Sequence, residues 1–364
     1  MYDVAIIGAG INGTSIAYAL MQKGQKVVIF DMNGIAGGGS GAAGAFISPK
    51  FSKYGDLRKV LNDAFIYSMD FYEKKFPHLL QKSPLIHIAK NEKDNETLRF
   101  FKKTTSLQLN TLRENIYENE TVCIDAGIVD ASNMCKALCK DAHFLQIKVD
   151  SLSFKETHWV INKCHTAKKV ILATGAYEEI IKETYIPIRG VWGHRIDVQT
   201  STENKNSLHQ EVSISPSKDG LLAIGATHDT KYHPQTTTKP YDYERGREEL
   251  LLKASRTINL QDVEVIKDYT GLRSGTSDYL PLLGSLVISD KTLANKNIDF
   301  ERKPTSYSIY DYYPNLYVIN GSGGYGFVLA PYLAKQLCEY IVDKKPIHKI
   351  FSPARFFYRW AKRR

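Results

Sequence analysis

The sequence predicts a mixed α/β fold (α+β overall) that begins with a dinucleotide-binding unit. Three observations support this prediction: a strand–turn–helix–strand pattern over residues 1–31, short alternating strands over residues 186–265, and a closing strand that leads through a glycine-rich turn into a helix. The pattern also changes over residues 77–122, which favours passage into a second domain. Because 364 residues exceed one ordinary hydrophobic core, two domains are expected.

The opening unit places a glycine-rich turn between two apolar strands. Residues 4–7 and 27–30 are predicted strands, residues 14–23 have helical spacing, and an acid follows the second strand. Glycines permit a tight turn, close approach to a pyrophosphate and close helix packing, and the acid would accept hydrogen bonds from ribose hydroxyls. The complete pattern favours a dinucleotide site over an isolated glycine loop. The residues assigned to it are Gly8, Gly10, Ile11, Asn12, Gly13 and Asp31.

Small residues dominate the next segment, residues 37–45. They allow the backbone to lie against a flat, bulky group. The position directly after the dinucleotide unit favours a wall of the cofactor site over a flexible surface loop, and we assign Ser40, Gly44 and Ala45 to that wall. A buried strand over residues 169–172 also ends in small residues, so a cofactor can pass close to its end.

Composition and charge suggest a cytoplasmic protein without selecting its partner. The five cysteines are odd in number and scattered, as in a reduced cytoplasmic protein, and Cys135 and Cys139 are expected to be buried thiols rather than metal ligands. No apolar window is long enough to span a membrane, and the first strand leaves no room for a signal peptide. The net charge of +9 is compatible with nucleic acid, an anionic membrane surface or a lysine-rich proteome.

Four motifs occur in order along the chain: the opening unit, Ala173-Thr174-Gly175, the segment over residues 271–281, and the glycine turn over residues 321–326. Together they resemble the D-amino-acid oxidase/glycine oxidase superfamily of FAD enzymes over nearly the whole chain. The resemblance implies a Rossmann-like FAD-binding domain with an inserted, mainly antiparallel substrate domain. The implied FAD-binding segments are residues 1–76, 123–185 and 266–364, and the substrate segments are residues 77–122 and 186–265.

A finer resemblance concerns residues 41–49, 214–229 and 273–284. These segments are similar to the FAD oxidase part of the bacterial tRNA enzyme that matures carboxymethylaminomethyl-uridine at the wobble position. The resemblance implies that the carbon beside the amine loses a hydride to FAD and that the resulting imine hydrolyses to aminomethyl-uridine and glyoxylate. Its partner would then be tRNA. The alternative is an oxidase or dehydrogenase of glycine, sarcosine or a D-amino acid.

Within this resemblance, Arg273 is expected to hold the substrate carboxylate through two charge-assisted hydrogen bonds, although an ion pair with Asp278 is the structural alternative. Tyr325 either faces the substrate or packs. Thr174 and Gly175 are expected near the adenosine side of FAD. The residues expected to start the last helix against the flavin are Gly323, Gly324 and Gly326, and Tyr325 is assigned to the cofactor site with them.

Three further features leave alternatives open. His194 and His228 are candidate acid–base groups, but a structural role is favoured for both. The position of the flavin-side lysine in sarcosine oxidases corresponds to Ala223, which puts rapid reaction with oxygen in doubt. The tail over residues 351–364 interleaves cations with aromatic residues, which suits RNA, an anionic membrane surface, or a packed segment with a solvated basic end.

Overall fold

The computed structural model describes residues 1–112, 116–177, 180–302, 304 and 306–364, which form two sheets and their covering helices. The helices are α1 Ile11–Met21, α2 Asp56–Lys75, α3 Glu92–Thr104, α4 Ala131–Leu138, α5 Tyr243–Ser255, α6 Ser289–Ala294, α7 Gly326–Asp343 and α8 Phe357–Ala361. The strands are β1 Tyr2–Ile7, β2 Val27–Phe30, β3 Phe46–Ile47, β4 Leu80–Ile88, β5 Thr121–Val129, β6 His143–Leu145, β7 Leu152–Lys155, β8 His158–Ile161, β9 His165–Leu172, β10 Ile188–Gln199, β11 Ser207–His209, β12 Ser213–Ile214, β13 Leu221–Gly225, β14 Glu264–Thr276, β15 Leu282–Val287 and β16 Tyr312–Asn320.

The first sheet contains the predicted dinucleotide unit. Its main strand order is β15-β16-β9-β1-β2-β6, with β7 and β8 continuing from β9. The pairs β16–β9, β9–β1, β1–β2 and β2–β6 are parallel. Along β1, Val4 and Ile6 pack into the same core as α1, α2, α4 and α7, whereas Ala5 and Ile7 pack with residues of β7–β9. Burial on both faces explains why β1 is apolar from Val4 to Ile7 and why β2 is apolar at every position.

The second sheet is mainly antiparallel, with the order β14-β10-β13-β12-β11-β4-β5-β3. The pair β11–β4 is parallel, and the other neighbours are antiparallel. Helix α5 covers one face through Leu250 and Ala254, which pack with Ile196 and Val198 of β10. The two sheets confirm the predicted class, a Rossmann-like domain combined with a mainly antiparallel one.

Strand pairing adds detail that periodicity did not supply. Strands β5 and β14 belong to the second sheet, which therefore extends past the ends predicted for the substrate segments at residues 122 and 265. Apolar alternation identifies a strand but not the sheet that it joins. The division into five segments itself stays a prediction. Within residues 77–122, where the sequence pattern changes, α3 ends at Thr104.

Cysteine burial agrees with the prediction of buried thiols. Cys135 and Cys139 are both buried on or beside α4, and burial raises the pKa of Cys135 to about 12 and that of Cys139 to about 11. Their thiols are therefore protonated near neutral pH. Within the described part of the chain, no helix has the length and apolar character needed to cross a membrane.

Candidate active site

A cavity of about 540 Å³ lies between the two sheets. Its walls include the carboxyl ends of β1, β2 and β9, where Ile7, Phe30 and Ala173 stand. They also include parts of β10, β13 and β14 in the second sheet. The volume is in the range of small-molecule and cofactor sites, and the carboxyl ends of parallel strands are the usual ligand-binding edge of an α/β sheet.

The opening glycine turn is shaped by contacts that no side chain would tolerate. Gly8 has a φ of +110°, and a Cβ there would lie 2.3 Å from the Ala173 carbonyl oxygen. A Cβ on Gly13 would lie 1.9 Å from the Gly8 carbonyl oxygen. The Asp31 carboxylate accepts hydrogen bonds from the backbone N–H groups of Ala9 (2.8 Å) and Asn33 (2.8 Å). The acid at the tip of β2 therefore braces the turn, and its contact with ribose stays a prediction.

Side chains connect the amino end of α1 to the other two small-residue segments. The Ile11 N–H donates to Ser40 Oγ at 2.9 Å. Asn12 Oδ1 accepts a hydrogen bond from Ser322 Oγ at 3.0 Å. A Cβ on Gly326 would lie 3.2 Å from Cγ2 of Ile11. The segments that the sequence assigned to one cofactor therefore meet in space.

The predicted cofactor residues line the cavity with one exception. Gly13 faces the back of the turn, where it lets α1 approach β1. The predicted residues on the cavity wall are Gly8, Gly10, Ile11, Asn12, Asp31, Ser40, Gly44, Ala45, Thr174, Gly175, Gly323, Gly324, Tyr325 and Gly326. The structure thus brings them together, and their individual contacts with a cofactor stay predictions.

The wall opposite the first sheet also fits a flat dinucleotide cofactor such as FAD. A Cβ on Gly39 would lie 2.6 Å from the Leu272 carbonyl oxygen, and one on Gly271 would lie 2.8 Å from Cα of Gly39. The small-residue loop is therefore pressed onto β14 without side chains between them. Together with the amino end of α1, whose N–H groups suit phosphates, this cradle would hold FAD.

Arg273 extends from β14 into the cavity wall. Its Nη1 donates to the Thr227 carbonyl oxygen at 3.1 Å. Among the described residues its guanidinium has no carboxylate partner, because Asp278 pairs instead with Arg355, at 2.8 Å from Nε and 3.0 Å from Nη2. Burial lowers the pKa of Arg273, although an arginine still stays protonated. An uncompensated positive charge therefore faces the cavity.

Glycine makes the room for this guanidinium. A Cβ on Gly193, which follows Trp192 on the neighbouring strand β10, would lie 2.5 Å from Nη2 of Arg273. The side chain thus rests on the bare backbone of β10. Any larger residue at position 193 would displace the guanidinium.

Tyr325 both lines the cavity and packs against the core, so the two alternatives for this residue are compatible. Its hydroxyl accepts a hydrogen bond from Nζ of Lys50 at 3.3 Å, and the same ammonium lies 5.5 Å from the ring centroid. Sequence reasoning did not select Lys50. The signal available was its place just beyond the small-residue loop, after Ser48-Pro49.

The candidate acid–base histidines do not line the cavity. His194 is fully buried on the α5 side of β10, with Nε2 2.9 Å from Oδ1 of Asp268, and burial lowers its pKa. His228 is exposed. Alternation along a strand separates His194 from its cavity-facing neighbours Gly193 and Arg195. A structural role, which the sequence favoured, therefore fits His194. Ala223, the position that corresponds to the flavin-side lysine of sarcosine oxidases, also lies outside the cavity lining.

Asn320 was also missed, although it connects three parts of the site. Its Nδ2 donates to the Gly175 carbonyl oxygen at 2.8 Å. Its Oδ1 accepts from Ser274 Oγ at 2.9 Å and from the Gly321 N–H at 2.8 Å. One buried amide therefore fixes the end of β16 to the ends of β9 and β14. An asparagine that ends a strand before a glycine turn was the available signal.

The aromatic residues of the tail are largely packed. Phe357 is fully buried against Tyr185 and Tyr310, at ring-centroid distances of 5.2 and 4.8 Å. Arg359 and Arg363 are exposed. This arrangement matches a packed segment with a solvated basic end, and it leaves phosphate contact available to the cations while the rings serve the core.

The comparisons with known proteins agree with this geometry. A family model described as "FAD dependent oxidoreductase" (DAO) matches residues 3–340. Two curated relatives are named "tRNA 5-methylaminomethyl-2-thiouridine biosynthesis bifunctional protein MnmC". The one from Campylobacter jejuni subsp. doylei is 25% identical over 99% of this chain and 59% of its own length. The one from Leptospira interrogans is 25% identical over 98% of this chain and 60% of its own length. The chain therefore spans about three fifths of these relatives.

Solved structures with a similar fold include two glycine oxidases. The enzyme from Bacillus cereus aligns with a TM-score of 0.75 at 20% identity, covering 97% of this chain and 98% of its own. The enzyme from Geobacillus kaustophilus aligns with a TM-score of 0.73 at 21% identity, covering 98% and 97%. At these identities the likeness establishes a shared fold.

Proposed function

Because the chain belongs to the DAO family of FAD-dependent oxidoreductases, we propose that it oxidises the C–N bond of a secondary amine that carries a carboxylate. The family and the FAD cofactor predicted from the four sequence motifs are confirmed. The proposed substrate is carboxymethylaminomethyl-uridine in tRNA, and the proposed products are aminomethyl-uridine and glyoxylate.

The positive charge of Arg273 carries the proposal. A partly buried guanidinium without a carboxylate partner among the described residues is costly unless a ligand supplies the anion. Nη1 is fixed by the Thr227 carbonyl oxygen, so the remaining N–H groups keep one orientation. A carboxylate held by two parallel hydrogen bonds would place the adjacent carbon at a constant position in the cavity.

The reaction requires binding, orientation and access for water. FAD, when bound, supplies the acceptor for the hydride that leaves the carbon between the nitrogen and the carboxylate. Water then adds to the carbon of the resulting C=N bond, and cleavage of the C–N bond releases glyoxylate and leaves a primary amine on the uridine. Arg273 would hold the carboxylate throughout, because that group stays on the departing fragment.

The choice of tRNA rests on the curated relatives. They match almost the whole chain, and their printed name refers to biosynthesis of a modified uridine in tRNA. The exposed cations of the tail, including Arg359 and Arg363, offer phosphate contacts that would weaken with salt. These observations support a nucleotide substrate, and they are independent of Arg273.

The test is to incubate FAD-loaded protein with tRNA that contains carboxymethylaminomethyl-uridine. Nucleoside mass spectrometry should show aminomethyl-uridine, and an assay of the supernatant should show an equal amount of glyoxylate. The same tRNA with the Arg273→Met variant is the control. A nucleoside that stays unchanged, while the flavin is bleached by free amino acids, would contradict the tRNA assignment.

The second candidate is a small-molecule amino-acid oxidase or dehydrogenase. It is favoured by the same guanidinium, since glycine, sarcosine and D-amino acids all present a carboxylate beside an amine carbon. Turnover of free amino acids without conversion of tRNA would select this candidate.

A further inference from the structure

Four residues form one transverse row across the second sheet and all line the cavity. Arg195 of β10 pairs with Gly225 of β13, Gly225 pairs with Ser213 of β12, and Ser213 pairs with His209 of β11. Directly paired residues of neighbouring strands point to the same side of a sheet. The row therefore brings a guanidinium, a hydroxyl and an imidazole to one wall of the cavity.

Arg195 differs from Arg273 in its charge balance. Its Nη1 donates to Oδ1 of Asp197 at 3.1 Å, and its guanidinium carbon lies 3.8 Å from the ring centroid of Tyr269. The Nε atom is buried and has no hydrogen-bond partner among the described residues. The charge is therefore balanced, but N–H donors remain unused. Such a group favours a neutral acceptor over a second anion.

Gly225 is the reason that Arg195 can lie along this row. A Cβ there would come within 2.8 Å of Cγ of Arg195, so a side chain would displace the guanidinium. Gly193 makes room for Arg273 in the same way, because it lacks a side chain. The sheet thus carries two arginines on bare backbone, one with an acidic partner and one without.

The far end of the row is neutral and flanked by an aromatic ring. Burial lowers the pKa of His209 to about 3, so its imidazole is uncharged near neutral pH. Its Nε2 is buried without a partner in the part of the chain that the structure describes. Phe46 also lines the cavity, and its ring meets that of His209 at a centroid distance of 5.0 Å and an angle of 74°. A planar group could pack against this ring.

We propose that Arg195, Ser213 and His209 form a second substrate subsite that binds the neutral carbonyl groups of a planar substituent on the amine nitrogen. The inference deepens the proposed function and rests on it, because Arg273 is taken to hold the carboxylate. A pyrimidine ring offers such an oxygen on a planar frame, whereas glycine and sarcosine do not reach this row. The subsite therefore selects N-substituted glycines with a planar, carbonyl-bearing substituent.

The experiment compares two ligands of similar size on the FAD-loaded protein. N-(uracil-5-ylmethyl)glycine carries ring carbonyls, and N-benzylglycine lacks them. Both ligands are oxidisable amines, so the dependence of the anaerobic rate of flavin reduction on ligand concentration would report their dissociation constants. We expect the uracil ligand to bind about tenfold more tightly, as one or two additional buried hydrogen bonds would give.

Variants of the row test whether it causes the preference for the uracil ligand over N-benzylglycine. Arg195→Met should abolish the tenfold preference while changing the affinity for N-benzylglycine by less than about twofold. Arg273→Met should weaken both ligands equally. Asp197→Asn leaves the guanidinium in place but removes its acidic partner. Relative to the affinity for the uracil ligand, the affinity for iminodiacetate, whose substituent is anionic, should therefore rise by about tenfold.

The outcomes separate this inference from the proposed function. A wild-type protein without preference, or an Arg195→Met variant that keeps it or loses both ligands equally, would overturn the subsite even if tRNA is converted. If the Arg195→Met variant fails to retain FAD, the Asp197→Asn variant decides. An unchanged preference between the uracil ligand and iminodiacetate would then overturn the subsite. Failure to convert tRNA, with the ligand preference intact, would reject the tRNA assignment and retain the subsite.

Discussion

The two sheets contribute different chemistry to one cavity. The first sheet presents strand ends, glycine turns and the backbone at the amino end of α1, and its side chains brace the turns from behind, as Asp31 and Asn320 do. The second sheet presents side chains to the cavity, among them His209 and two arginines, Arg195 and Arg273, which rest on glycines of the neighbouring strands. One wall is therefore made of backbone, and the other is made of charge and hydrogen-bond donors.

The difference has a consequence for mutation. In the glycine turn behind the backbone wall, a methyl group added at Gly8 or Gly13 would meet main-chain atoms, so substitution there should abolish the site. On the side-chain wall, replacing a residue by one of similar volume should leave the fold intact and change affinity or specificity.

The largest effect is expected for Gly13→Ala. Because the added Cβ would lie 1.9 Å from the Gly8 carbonyl oxygen, α1 and β1 would have to separate. We expect a loss of at least about 4 kcal/mol in the free energy of unfolding, together with loss of FAD binding. Urea denaturation and the FAD-to-protein absorbance ratio would measure the two effects.

Gly275→Ala is the matched control in the second sheet. A Cβ at Gly275 of β14 would meet no atom within 4 Å, and its φ lies outside the left-handed range. The denaturation midpoint should be nearly that of the wild type. Equal losses in Gly13→Ala and Gly275→Ala would refute the view that close backbone contact, rather than loss of glycine, causes the damage.

The second largest effect is expected for Arg273→Met. Loss of the guanidinium removes the group proposed to hold the carboxylate, so ligand affinity should fall by about 2–5 kcal/mol while the denaturation midpoint and FAD content are retained. Flavin absorbance changes, recorded at increasing concentrations of the carboxylate ligands and of an amine that lacks a carboxylate, would measure this loss of affinity. The amine without a carboxylate should bind both proteins alike, and a parallel loss of its affinity would show a general disruption of the cavity.

The backbone wall was largely predictable from the sequence, because its function depends on residue type at fixed spacing. Gly8, Gly10 and Gly13 are required by turn geometry, and the spacing to Asp31 follows from the length of one helix. The predicted strand over residues 27–30 agrees with β2, and α7 begins at Gly326, one of the glycines expected to start the last helix. Local geometry determines these features, so a linear pattern contains them.

The side-chain wall was predictable only where a family motif marked it, as for Arg273. The row from Arg195 to His209 depends on the pairing of four strands that are separated by loops of differing length, and register across such strands cannot be inferred from alternation. The interaction between Lys50 and Tyr325 joins residues 275 positions apart. Long-range pairing, rather than composition, therefore limits what the sequence predicts.

The last prediction concerns the pH response of the second sheet. His87 of β4 pairs with His209 of β11, and their rings lie 6.5 Å apart. Burial and the nearby charges of Lys90 and Lys50 lower the pKa of His87 from 6.5 to about 3. Burial and the neighbouring His87 lower the pKa of His209 from 6.5 to about 3. Between pH 3 and 6.5 the unfolded chain therefore binds more protons, so stability is retained above this window and decreases as pH falls through it.

The slope should be at most about 1.4 kcal/mol per pH unit for each histidine. Urea denaturation between pH 7 and 5 would measure this slope. The His87→Gln/His209→Gln double variant should show a shallower slope. The control His78→Gln, which replaces an exposed histidine, should keep the slope of the wild type. Hydrogen exchange would locate the effect, with β4 and β11 losing protection before β1 and β9. If the two sheets lost protection together, the acid response would belong to the whole fold, and buried imidazoles could not account for it.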